Sequence, residues 1–133
     1  MQKLNKNQIF FTSLFLIILV YILYGIYFDL TSVPNIPGKW KHANKFLFVL
    51  IIYGTGSFAL KQFTVKWMMQ VWHLIHVIFI FILLVIGLYD WIAGGITGKI
   101  RNVANALFEF LISPALYVCM GIIQFRLFRN RED

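Results

Sequence analysis

The sequence predicts an all-α integral membrane protein: four transmembrane helices in an antiparallel bundle, with both termini on the same side. Three observations carry that expectation. The 133 residues are 60% hydrophobic, 18% aromatic and only 13% charged. A soluble domain of this size leaves too much of its surface in water to hide so much apolar area. The apolar residues gather into four runs, about 9–28, 43–60, 67–89 and 103–125. Each approaches the roughly 20 residues that cross a hydrocarbon core of about 30 Å. The lysines and arginines fall in the gaps and at the ends, so the net charge of +7 reads as headgroup contact, not as a nucleic-acid surface. Helices are the expected spanning form, because barrel strands are shorter and alternate in polarity. Cys119 is the single cysteine, which rules out an intramolecular disulfide and a cysteine metal cluster.

The first run follows Lys3 and Lys6 and has the outline of a secretion signal. Its length, and the want of a small-x-small cleavage site in "YGIYFDLTSVP", mark it as a retained span. Ser13 and Tyr24 share one face, and Tyr24, Tyr27 and Phe28 are expected in an interfacial aromatic belt. In the connector "DLTSVPNIPGKWKHANK", Pro34, Pro37 and Gly38 interrupt any helix. Trp40, flanked by Lys39, Lys41 and His42, has the composition of an interfacial anchor over lipid phosphates.

The second run contains "YGTGSFA". Gly54, Gly56, Ser57 and Ala59 let neighbouring helices approach closely, and the two glycines are candidate hinge positions. Their Gly-x-Gly pattern is no phosphate loop, because no strand precedes it. "KQFTVK" is expected as a tight hairpin into the third run, which opens with "VWHLIHVIFIFILLVIG" and carries His73 and His76. "DWIAGGITGKIRN" reads as a glycine-rich, fairly apolar loop at or partly within the interface.

The fourth run holds the most specific pattern. Asn102, Asn105, Glu109, Ser113, Tyr117 and Gln124 fall within an arc of about 120° at about 100° per residue. Glu109 is the one acid well inside an apolar run. A carboxylate in hydrocarbon costs several kcal/mol unless paired, hydrated or protonated, so the stripe is expected to face protein or trapped water. Pro114 frees the carbonyl of Phe110 and is expected to kink the helix beside Glu109. Counting residues from the two membrane surfaces puts Glu109 and His76 about 7 Å apart in depth. Glu109, His73, His76, Asn105 and Ser113 are therefore the candidate intramembrane polar cluster.

Three chemistries suit such a cluster, and one structural role competes with them. Imidazole and a buried carboxylate can relay protons. The set His73, His76 and Glu109 could hold a divalent metal, although helical ligand pairs usually sit at i and i+4 and these histidines are at i and i+3. Haem normally draws an axial ligand from each of two helices, and here one run offers histidine. Polar residues also serve as plain packing contacts between membrane helices. Nucleophile elbow, phosphate loop, HExxH and redox cysteine pair are all missing from the sequence, so catalysis has little support. With short loops and no extramembrane domain expected, the leading reading is an integral subunit or accessory factor of a larger membrane assembly, contacting lipid and other subunits or copies of itself. Proton or ion conduction comes next, and haem-based electron transfer third. Seven cationic residues on the terminal side against five opposite favour termini in the cytoplasm of a cell with an inner membrane.

Overall fold

The computed structural model describes residues 5–30, 38–62 and 66–132; the side chains of 29, 30, 38, 39 and 128–132 lie outside that description. The described residues form helices joined by short breaks, without strands. Five α-helices follow in order: α1 (Lys6–Gly25), α2 (Gly38–Lys61), α3 (Lys66–Ala93), α4 (Gly98–Ile112) and α5 (Ala115–Glu132). Three of them, α1 to α3, are individually long and apolar enough to cross a membrane, and α4 with α5 qualifies as a bent pair.

The N-terminus of α1 is set by Asn5, whose backbone N–H donates to Gln8 Oε1 at 3.0 Å. This satisfies one of the donors that a helix start leaves open. The apolar run beyond it continues without a breaker to Gly25, where a π-helical turn over Ile26–Leu30 widens the coil. That turn brings Phe28 beside Tyr24, with ring centroids 4.8 Å apart, and against Phe48 of α2 at 6.0 Å. Tyr24 is therefore buried within the chain at 6% exposure, whereas Tyr27 is exposed.

Two connectors are shorter than expected. The helix α2 takes in "GKWKHANK" and begins at Gly38, directly after Pro37. Proline ends the preceding helix but does not oppose one that starts just after it, and nothing in the eight residues blocks a helix. Likewise α3 runs through "DWIA" to Ala93, leaving only 94–97 between helices. Gly94 at φ 72° and Gly95 at φ 150° take a backbone that side-chain-bearing residues rarely adopt, which permits so tight a turn. Residues 63–65 of the expected "KQFTVK" hairpin lie outside the described residues.

Side-chain contacts order the helices. The pair His42–Asp90 joins the start of α2 to the end of α3, and Tyr53–His73 joins their other halves. The two helices thus run in opposite directions. Gly56 lies against the indole of Trp72, and a Cβ there would overlap the ring. Gly121 of α5 meets the ring of Phe10 in the same way. Gly54, by contrast, has open space around it, and α2 passes through both of its glycines unbroken. The core is built from Ile17, Ile52, Trp72, Leu111, Ile112 and Tyr117, each at most 1% exposed, together with their neighbours.

The fourth run is two helices. At Ser113 the backbone is extended (φ −60°, ψ 136°), and the axes of α4 and α5 differ by 43°. Pro114 has no N–H to continue the ladder, and proline disfavours helical backbone at the residue before it. The Ser113 hydroxyl accepts a hydrogen bond from the Ala115 N–H at 3.2 Å, occupying one donor at the start of α5.

Candidate functional site

Polar groups meet at two levels of the bundle. The first lies between α2 and α3. Tyr53 Oη and His73 Nδ1 are 2.5 Å apart, and Trp72 Nε1 donates to the Tyr53 carbonyl at 3.4 Å. One turn along α3, His76 Nδ1 donates to the Trp72 carbonyl at 2.9 Å. That bond fixes the proton on Nδ1, so in the neutral ring Nε2 carries the lone pair. The imidazole is fully buried, tilted against Trp72 at 4.1 Å and Tyr53 at 5.1 Å between centroids. His76 Nε2, Ser57 Oγ and Gln124 Oε1 are buried without a hydrogen-bond partner among the described residues.

The second level lies at the other end of α2, where α2, α3 and α4 converge. His42 Nε2 and Asp90 Oδ2 are 3.3 Å apart. Lys45 Nζ donates to Asn105 Oδ1 at 3.0 Å and sits 5.6 Å from the centroids of both Phe28 and Phe108. A half-buried ammonium is thereby held by an amide oxygen and two aromatic faces. Beside it His42, Asp90, Arg101 and Asn105 line a cavity of about 20 Å³ with Phe46 and Phe108. That volume suits one water, not an organic cofactor.

Neither level contains Glu109. The expectation that the whole polar stripe turns inward holds for Tyr117 and Gln124, both buried, and fails for Asn102 and Glu109, both exposed. Asn105 and Ser113 are intermediate. The cause is the break at Ser113–Pro114, which resets the helical phase between α4 and α5. In α4 the buried face is Ala104, Phe108, Leu111 and Ile112. Lys99, Asn102, Ala106 and Glu109, all exposed, occupy an arc of about 80° whose centre is about 150° away from it.

The anticipated group of five is therefore split. His73 and His76 adjoin each other, Asn105 belongs with Lys45, Ser113 caps α5, and Glu109 stands apart. The Glu109 carbonyl accepts from the Ser113 N–H at 2.8 Å, but no hydrogen bond or ion pair joins its side chain to another described residue, and no set of three or more His, Cys, Asp or Glu suited to a metal occurs among the described residues. The four residues anticipated at the lipid surface open α2: Trp40, Lys41 and His42 are exposed, Trp40 at 65%. The side chain of Lys39 lies outside the described residues.

Sequence reasoning passed over Tyr53, Lys45 and Asp90. Lys45 carried a usable signal, as a cation at the head of an apolar run. Tyr53 carried none, since its partner His73 is 20 residues away in the chain. Comparison with protein-family models, curated proteins and solved structures finds no match to this chain.

Proposed function

We propose that this chain is a small polytopic membrane protein that works as an integral subunit or accessory factor of a larger membrane assembly. Helices α1, α2 and α3 each cross the bilayer in this reading. The pair α4–α5 crosses as one bent span, since a 43° bend keeps most of the advance along the original axis. Four spans make an antiparallel bundle with both termini on the same side, and the cation distribution favours the cytoplasmic side of an inner membrane. The outward surface fits: in the most apolar stretch of α3 only 17% of residues are buried within the chain.

The observation that carries the subunit role is the outward stripe of α4. In the isolated chain Glu109 and Asn102 are exposed, which in this four-span reading would turn them toward acyl chains. A charged side chain at mid-membrane costs about 3 kcal/mol or more against lipid, and such residues characteristically face protein or water. A second protein seated on α4 removes that cost. A proton path through Glu109, His73 and His76 has less support, because the acid faces out of the bundle and the imidazoles face into it.

Extraction of the tagged full chain from its native membranes in mild detergent tests the subunit role. Co-purification of a membrane protein in fixed stoichiometry is the expected result. A lone, monodisperse chain with full occupancy of the membrane would contradict it.

A further inference from the structure

The outward stripe of α4 also constrains the kind of partner that covers it. Among the described side chains there are two acids, Asp90 and Glu109. Asp90 has His42 beside it. Glu109 has no such counterpart. The cations nearest to it on its own helix are Lys99 and Arg101, ten and eight residues earlier, or about 15 and 12 Å along the axis. Lys45 is engaged with Asn105 and two aromatic rings on the inward side. Arg101 lines the cavity with His42 and Asp90, which marks that level as the polar end of the bundle. Glu109 therefore lies about 12 Å inward from it, well within a core of about 30 Å.

The surroundings of the carboxylate favour a packed helix over a water-filled groove. Ala106 lies one turn before it and Asn102 a further turn on, all exposed. A small side chain between two polar ones lets a neighbouring backbone come close while hydrogen bonds form on either side. Val103 and Phe110 flank the stripe and are 56% and 44% exposed. Taking the subunit role as given, we propose that the Lys99–Asn102–Ala106–Glu109 face of α4 docks a membrane-spanning helix of a different protein, one that carries a Lys, Arg or His at mid-depth opposite Glu109. A second copy of this chain fits less well. A two-fold axis along the membrane normal brings equal depths together, so Glu109 would meet Glu109, and like charges at close range oppose each other.

The test uses the full chain in its native membranes, with a photo-crosslinking side chain at Ala106 and, as control, at Phe81 on the outward face of α3. The expected result from Ala106 is one crosslinked partner, whose attached peptide is an apolar span containing Lys, Arg or His. Glu109→Lys should cut that crosslink about tenfold or more, and Glu109→Gln should weaken it in the same direction. Reversing the partner's charge should restore it in the Glu109→Lys background. A crosslink to lipid alone, to a second copy or to a segment without a cation overturns the proposal. So does a yield that Glu109→Lys leaves within about twofold. A stoichiometric partner reached from Phe81 but not from Ala106 leaves the subunit role standing and removes this docking face. No protein reached from either position removes both.

Discussion

On the N-terminal side of Pro114 the polar phase of the helix, Asn102 and Glu109, looks away from the bundle. On its C-terminal side the same phase, Tyr117 and Gln124, is buried. In one continuous helix these four residues would share a face within about 80°. The 43° break and the extended Ser113 separate them. Tyr117 then stacks on Phe10 at 4.9 Å and 13°, approaches Trp72 at 6.1 Å, and donates to the Phe10 carbonyl at 3.4 Å. Glu109 gains no comparable contact. A stripe of polar residues thus divides between two surfaces, one inside the chain and one exposed on it.

The comparison is broken most severely by truncation. Tyr117→Ala removes a ring with no exposed surface and should cost about 3–5 kcal/mol of stability. Glu109→Ala in the purified chain should stay within about 0.5 kcal/mol of wild type, because exposed positions without partners contribute little. Thermal or denaturant unfolding in detergent micelles measures both, and similar losses for the two would erase the distinction.

Steric additions come next. Gly121→Leu drives a side chain into the Phe10 ring, a strain of about 1–3 kcal/mol. Ala106→Leu on the exposed face of α4 should leave the fold of the isolated chain unchanged while blocking its complex. Loss of the complex without loss of unfolding temperature is the signature to look for. A matched pair in α2 sharpens the reading of glycine: Gly56→Ala strikes Trp72, whereas Gly54→Ala meets nothing within 4 Å. The first should lower stability. The second should raise it by about 0.5–1 kcal/mol, as alanine usually does in an unhindered helix. Tyr117→Phe, which deletes the long hydrogen bond to the Phe10 carbonyl, should likewise cost only about 0.5–1 kcal/mol.

Much of the fold could be read directly from the chain. Apolar runs are local: the first three became single helices near their expected places, and the fourth became two. Their ends were harder, since 38–42 and 90–93 are too polar or too glycine-adjacent to look helical and yet continue their helices. The proline break was visible at Pro114, but its rotation was not. A sequence shows that the ladder is interrupted; the new phase depends on which contacts, here Phe10 and Trp72 on Tyr117, capture the following helix. The same limit hid the Tyr53–His73 and Lys45–Asn105 pairs, which join residues 20 and 60 positions apart. The acid, finally, was expected inside because a carboxylate avoids lipid. That principle governs contact with lipid, and it does not dictate which face of a single chain carries the group.

The most direct measurement of the account is the environment of spin labels placed singly at 109 and at 117 in the purified full chain, with Cys119 first changed to Ser. Collisional relaxation by oxygen and by a water-soluble nickel complex reads which face is covered. The label at 109 should be mobile and accessible, and the label at 117 immobile and shielded from both reagents. A shielded label at 109, or equal access at the two sites, would contradict the opposed facing of α4 and α5 on which the partner surface depends.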